Sequence, residues 1–559
     1  MMRKLKRWVL PAILIGGMVS ILTACKNNKS VNEMSIDEIK EKVRAFYGEN
    51  KEIKDGNYDK SLAVKCINGT FVGKKTDNTI TFRGIPYVGK QPTGELRWKA
   101  PVDVMPNDGV YEAYYNAKSA LQPEVEVSSL YYQGEDCLYL NVWKTAKVSE
   151  EKKPVIVWVH GGAYEYGGTV DPLYDFHNFV EENPEVIVVS VAYRLGTLGF
   201  LHLSHLPDGK DYPDAQNLGL LDQRKALKWV YENITAFGGD PDNVTIMGES
   251  AGGGSVTQQT LLKDSCQYFK KVIAISGTPG LSRSTEQAIA CTNDLMEALG
   301  CKTVADLQKV DVNKLVSTAT ELLSLRMAPE RDGRLLPLNP WEAVANGAVK
   351  DITFLHGVNK DEMNFFLVGM GGPEPFNEWA ADRKAKKLSL MTDEEKALVE
   401  SFCKNVKGES YEPYCRLFSQ LMFNAPCLRL SEEQTKAGGK SYTYYFTVES
   451  AVPMMKSAHG MALSPLFKHP ELDGDTGRAF DETFSKTMRK MWVQFAKTGN
   501  PSLTADISPD GKAKEWPLYD LKDREVMVLD EFNIHPEKES QRKIVDWDRS
   551  YFLTKYYSF

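Results

Sequence analysis

Metal ions, nucleic acids and repeat architectures find little to use in this chain of 559 residues. Its nine cysteines include no Cys-x-x-Cys pair and its eight histidines are scattered, so no stretch has the ligand spacing of a zinc site. We therefore expect no metal and no cofactor. The formal net charge of −7 leaves no basic excess for neutralising phosphates, which argues against a nucleic acid partner. No internal period and no long low-complexity tract occur, which excludes a solenoid. Long apolar runs are also missing beyond the first 25 residues. What is present, 42% hydrophobic and 26% charged residues, suffices for a large core, and the length admits one domain or two.

The first residues stand apart. Arg3, Lys4, Lys6 and Arg7 precede an apolar stretch from Trp8 to Leu22, and Thr23, Ala24 and Cys25 follow. That is the pattern of a signal peptide. Leu22 to Cys25 resembles a bacterial lipobox, which implies cleavage before Cys25 and acyl chains on its thiol and amine. Two or three such chains hold a protein firmly at a membrane. An uncleaved span is disfavoured because Pro11, Gly16 and Gly17 interrupt a stretch already short for a bilayer. We expect residues 1–24 to be a leader, 25–34 a lipid-attached tether, and 35–559 a single folded domain outside the cytoplasm. Eight cysteines besides Cys25 would then sit where disulfides are permitted, and the sequence does not pair them.

Beyond the tether, Ser35 and Glu38 make a capping box for a short helix carrying Ile36, Ile39, Val43 and Phe46. Strand-like runs follow at Thr79 to Arg83 and Val110 to Tyr115. The nearly continuous apolar runs Pro154 to Val159 and Val186 to Tyr193 suit strands buried on both faces. A helical pattern from Leu220 to Ile234 separates them from a third buried run, Val244 to Met247, and a fourth spans Ile352 to Leu355. This alternation predicts an α/β architecture, a mostly parallel sheet with helices on both faces and sites at the carboxyl ends of strands. From Glu374 to Glu433 the chain is charged and helical, and its solvated character favours an outer layer over a cap on the site.

Two loops carry chemistry. Gly248, Glu249, Ser250, Ala251 and Gly252 spell Gly-x-Ser-x-Gly between a predicted strand and a helix-compatible stretch. A serine at such a sharp turn needs small neighbours to expose its hydroxyl, and the following helix places its positive end nearby. Alone, the motif is also an ordinary glycine turn. His160, Gly161, Gly162 and Ala163 follow a buried run directly, and such a loop lets the amides of Gly162 and Ala163 converge with that of Ala251 on an oxyanion.

Further along, Glu135 to Trp143 reads EDCLYLNVW, a signature of type B carboxylesterases, the family that also contains cholinesterases. The chain resembles that family over about residues 62–519, including Phe82 to Tyr87 (FRGIPY), Tyr193 to Phe200 (YRLGTLGF), Asn217 to Gln223 (NLGLLDQ), Phe237 to Val244 (FGGDPDNV) and Asn500 with Pro501. The resemblance implies the α/β hydrolase fold and a Ser, acid, His order of triad residues. Of the late histidines, His459 in Ser457-Ala458-His459-Gly460 is similar to the family's base, while His469 and His535 read as surface residues. Gly357 to Glu362 (GVNKDE) matches the segment whose glutamate is the triad acid, which favours Glu362; spacing alone leaves Asp361 open. Glu249 either tunes the field at His459 or is satisfied locally, and Tyr164 and Tyr166 either line the pocket or pack.

Some features depart from the family. Relatives pair the signature cysteine with one in the preceding loop, but no cysteine lies between Cys66 and Cys137. That loop carries Tyr131 and Tyr132 and no tryptophan, which disfavours a choline ester. The histidine loop continues with Met461 where relatives often have an acid. The expected partner is a small-molecule ester, with the oligomeric state open. A silent binding module is the rival from another class, and a thioesterase, amidase or lipase would use the same residues.

Overall fold

In the computed structural model, which describes residues 38, 41, 43–123, 131–469 and 474–541, eleven strands join in one mixed sheet. In chain order they are β1 (Lys74–Thr76), β2 (Thr79–Pro86), β3 (Tyr139–Thr145), β4 (Lys153–Val159), β5 (Ile187–Val191), β6 (Gly239–Glu249), β7 (Lys271–Ile275), β8 (Thr353–Asn359), β9 (Lys440–Phe446), β10 (Val526–Leu529) and β11 (His535–Glu537). Across the sheet the order is β1-β2-β3-β5-β4-β6-β7-β8-β9-β10-β11. The seven strands from β5 to β10 are parallel; β1, β2 and β3 form an antiparallel margin on one side and β11 on the other. This is the α/β hydrolase architecture that the resemblance implies. The run from Val110 forms a shorter strand than expected, Val110–Glu112, in a separate three-stranded sheet with Ala63–Cys66 and Gly69–Val72.

The apolar runs are continuous because both faces of the central strands are covered. In β4, Val155, Val157 and Val159 face one core while Ile156 and Trp158 face the other. Helices α1 (Leu218–Asn233) and α2 (Ala251–Gln259) pack on the first side. The family signatures become legible as ion pairs, one partly and one wholly buried. Arg97 Nε and Nη2 donate to Glu135 at 2.5 and 2.7 Å, and Arg194, from the YRLG segment, makes a two-pronged pair with Asp222 of α1 at 2.8 and 2.6 Å.

The charged stretch after Glu374 departs from expectation. Helices α3 (Pro373–Leu388), α4 (Asp393–Asn405), α5 (Glu412–Ser419) and α6 (Ala425–Lys436) enclose a core of their own, in which Phe376, Val399, Leu417, Phe418 and Phe423 meet Met363 and Phe366. Between α5 and α6 a single π-helical turn, Gln420–Asn424, brings Phe423 to 4.9 Å from the His459 ring. The segment therefore walls the site instead of merely coating the outside. Lys- and Glu-rich outer faces mask the apolar inner ones when the stretch is read linearly. His469 also differs: it is buried, held by a contact of Nε2 with the Asp175 carbonyl at 2.8 Å, a partner 294 positions away that a linear reading does not show. His535 is half-exposed in β11. The leader, Cys25, the tether and the Ser35 cap lie outside the described residues, as do residues 124–130 of the loop before Tyr131. The last turn of the short helix is seen, with Val43 buried. A last helix, α7 (Glu482–Thr498), packs against the second core.

The Arg194–Asp222 pair is almost wholly removed from solvent, with side-chain exposures of 3% and 0%. Leaving the guanidinium without its acid strands a buried charge, so Asp222→Asn is expected to cost about 3–5 kcal/mol. The measurement is the thermal or urea unfolding midpoint; an unchanged midpoint contradicts this.

Candidate active site

Ser250 sits between the end of β6 and the start of α2 with φ 55° and ψ −123°. A non-glycine residue there stores strain of order 1–3 kcal/mol, which the surroundings must hold. They do so with two hydrogen bonds: Ser250 N–H donates to Ile275 O at 2.9 Å, and Gly254 N–H to Ser250 O at 2.8 Å. The motif's last glycine is dictated by contact, since a Cβ on Gly252 would lie 2.1 Å from the carbonyl oxygen of Val159 and 2.8 Å from that of His160. That closeness presses the start of α2 onto the end of β4, where the His160 loop begins.

In that loop Gly162, Ala163 and Tyr164 have φ of 104°, 53° and 63°, a left-handed run that turns the backbone inward. Gly162 O accepts from the amides of Glu165 and Tyr166 at 3.0 and 2.9 Å, which fixes the turn. The amides of Gly162, Ala163 and Ala251 donate no backbone hydrogen bond among the described residues. His160 itself is structural: its ring stacks on Tyr193 at 4.5 Å, and burial pushes its pKa down to about 4. Tyr164 and Tyr166 are fully buried and pack.

Glu362 and His459 come together directly. His459 Nδ1 lies 2.5 Å from Glu362 Oε2, and both side chains are buried. The other carboxylate oxygen, Oε1, accepts from Ser276 Oγ at 2.7 Å and from Asn359 N–H at 2.8 Å. The sequence patterns give neither donor a role, although Asn359 lies within Gly357 to Glu362 and ends β8, and Ser276 directly follows the buried strand β7; those positions were the available signal. The neighbouring Asp361 points elsewhere. With Lys360, Arg416, Glu449 and Arg478 it lines a separate cavity of about 660 Å³, whose lining includes neither Ser250 nor His459.

The remaining ring nitrogen, His459 Nε2, stands 3.2 Å from Glu249 Oε1, an approach without hydrogen-bond geometry that leaves both atoms unbonded among the described residues. No hydrogen bond joins Ser250 Oγ to the ring in this structure, and such contacts commonly tighten only with substrate. Phe365, Phe366 and Phe423 surround the imidazole at 6.1, 5.8 and 4.9 Å. Burial acts to lower the His459 pKa, but the carboxylates of Glu249 and Glu362 outweigh it and raise it to about 8. Burial likewise raises Glu249, to about 7, against the pull of the histidine.

Among the described residues no three His, Cys, Asp or Glu side chains cluster as a metal site would require. All eight described cysteines are free thiols, Cys137 among them, in keeping with its missing partner.

The model of the carboxylesterase family matches residues 60–544. The para-nitrobenzyl esterase of Bacillus subtilis (strain 168) is 33% identical over 497 residues, spanning 85% of this chain and 96% of the relative. A cholinesterase of Mus musculus is 31% identical over 511 residues, spanning 84% and 81%. Among solved structures, the carboxylesterase EST55 of Geobacillus stearothermophilus at pH 6.2 aligns with a TM-score of 0.75 and 31% identity over 86% of this chain and 98% of that one. The chain thus belongs to the carboxylesterase family and is a serine hydrolase acting on carboxylic ester bonds.

Proposed function

We propose that Ser250 is the nucleophile of this esterase, His459 its general base and Glu362 the acid that orients the base. The observation that carries this reading is the 2.5 Å contact between Glu362 and His459 Nδ1. It commits one ring nitrogen to the carboxylate and leaves Nε2 for a proton beside the strained turn that holds Ser250. In the first half-reaction Ser250 Oγ attacks the ester carbonyl as Nε2 takes its proton. The amides of Gly162, Ala163 and Ala251 receive the oxyanion, and the imidazolium, steadied by Glu362, then protonates the departing alcohol. Water activated by the same nitrogen releases the acid from the acyl-enzyme. Glu249, next to the nucleophile and within 3.2 Å of Nε2, stabilises the imidazolium form.

The same reading places the enzyme at a bacterial membrane surface, outside the cytoplasm, on a tether from lipidated Cys25. Its support is the basic, apolar and Leu-Thr-Ala-Cys sequence of residues 3–25.

Ser250→Ala is expected to reduce hydrolysis of a short para-nitrophenyl ester at least about 10⁴-fold and to abolish fluorophosphonate labelling of the site. Retained turnover in a folded variant rejects the assignment. Because His459 acts as a base only when neutral, kcat/KM should climb through a pKa of about 8. Glu249→Gln removes a charge that favours the protonated ring, so this limb should move to lower pH by about one unit, worth roughly 1.4 kcal/mol. A limb that stays put, or moves up, contradicts the role of Glu249. For the anchor, Cys25→Ser is expected to move the protein from the membrane fraction to the soluble one, with loss of the acylated N-terminal peptide from the mass spectrum.

A further inference from the structure

A second serine, histidine and glutamate relay lies outside the site just described and shares no residue with it. His202 Nδ1 is 2.8 Å from Glu330 Oε2, and Ser204 Oγ is 3.1 Å from His202 Nε2. The acid is completely buried, the histidine is 7% exposed and the serine is on the surface. The relay thus runs from the interior to a hydroxyl that an outside reagent can reach.

Each member is fixed by its surroundings. Glu330 Oε1 accepts from Thr285 Oγ1 at 2.7 Å, and the Glu330 backbone is clamped by Asn217, whose side chain accepts from Glu330 N–H at 2.8 Å and donates to Glu330 O at 2.9 Å. Thr292 Oγ1 donates to His202 O at 2.7 Å. With Nδ1 turned to a buried carboxylate, the neutral ring carries its proton on Nδ1 and offers the Nε2 lone pair to Ser204. This is the division of labour between an orienting acid, a base and a nucleophile that activates a serine hydroxyl. The neighbouring imidazole of His205, with ring centroids 5.3 Å apart, is tied to Asn293 Oδ1 at 3.0 Å.

What the place lacks is a counterpart of the glycine loop: Ser204 is not at a strained strand-to-helix turn, and residues 203–206 present no run of left-handed residues. Stabilisation of a tetrahedral oxyanion is the larger part of turnover on unactivated esters. We propose that Ser204 is a second, stoichiometric acceptor site that takes acyl or phosphonyl groups from small electrophiles with good leaving groups. With a fluorophosphonate, the Ser204 Oγ–P bond forms as the P–F bond breaks. Fluoride leaves with its electron pair, and the hydroxyl proton passes to His202 Nε2 and on to water. With an activated aryl ester the Oγ–C bond forms as the ester C–O bond breaks; the phenolate leaves with the electron pair, and the hydroxyl proton passes to His202 Nε2 as before.

The test uses the full-length Ser250→Ala protein, so that the main site is silent, treated with an alkyl fluorophosphonate and mapped by peptide mass spectrometry. An adduct on Ser204 is expected to form at least about 100-fold faster than on Ser149, the range that general-base assistance supplies. Ser149 is an exposed serine of the same chain with no histidine at its hydroxyl, which donates to the Glu151 carbonyl at 3.3 Å and accepts from the Glu151 amide at 3.2 Å. Glu330→Gln in the same background, which keeps the shape of the side chain, should slow the Ser204 reaction at least about tenfold and leave Ser149 unchanged. Labelling of Ser204 no faster than Ser149, or a rate indifferent to Glu330→Gln, overturns the proposal. Ser250 labelling in the wild-type chain reads the esterase site separately, so failure of one assignment is not failure of the other.

Discussion

The close approach of Gly252 to the carbonyls of Val159 and His160 is the contact on which the rest of the site depends. It sets the start of α2 against the end of β4 with no room for a side chain. That single juxtaposition brings the strained serine turn and the left-handed glycine loop to one point. Neither loop could do this alone, because each is only a short connection whose direction is set by the strand before it. The neighbouring parallel strands supply the rigidity, and the two cores that cover them hold the strand ends in register.

On the other side of Ser250, electrostatics is arranged by burial. The imidazole of His459 lies among three phenylalanine rings and between two carboxylates, one at each ring nitrogen. An apolar enclosure by itself would keep the ring neutral. Two nearby acids reverse that tendency and favour the ring in its protonated, positively charged form. The π-helical turn at Gln420–Asn424 contributes to the enclosure by turning Phe423 inward, a placement that a regular helix with the same residues would not give.

Much of this was legible in the sequence because it rests on short-range rules. Strands buried on both faces read as unbroken apolar runs, and the Gly-x-Ser-x-Gly and His-Gly-Gly loops declare their backbone needs through residue type. The choice between Asp361 and Glu362 was not legible from spacing, since adjacent loop residues differ only in which way the chain turns; the family resemblance favoured Glu362, and it is this carboxylate that meets His459. Asn359, which holds Glu362 from three residues back at the end of β8, is a local partner, whereas Ser276 follows β7, and no local pattern announces a partner 86 positions away. The helical stretch after Glu374 misled for a related reason. Its charged residues dominate a linear reading, whereas its inward face is spread thinly over four helices that only tertiary packing assembles.

The proposed triad draws on distant parts of the chain, with Ser250 on the turn after β6, Glu362 after β8 and His459 on the loop that follows β9. During synthesis the serine therefore emerges, and its strand can pair, long before the histidine exists. A nascent or truncated chain can own a complete nucleophile turn and remain inert. Esterase activity in this molecule is accordingly a report on completed folding, and a chain that stalls before its final third carries no unguarded hydrolase into the compartment where it is made.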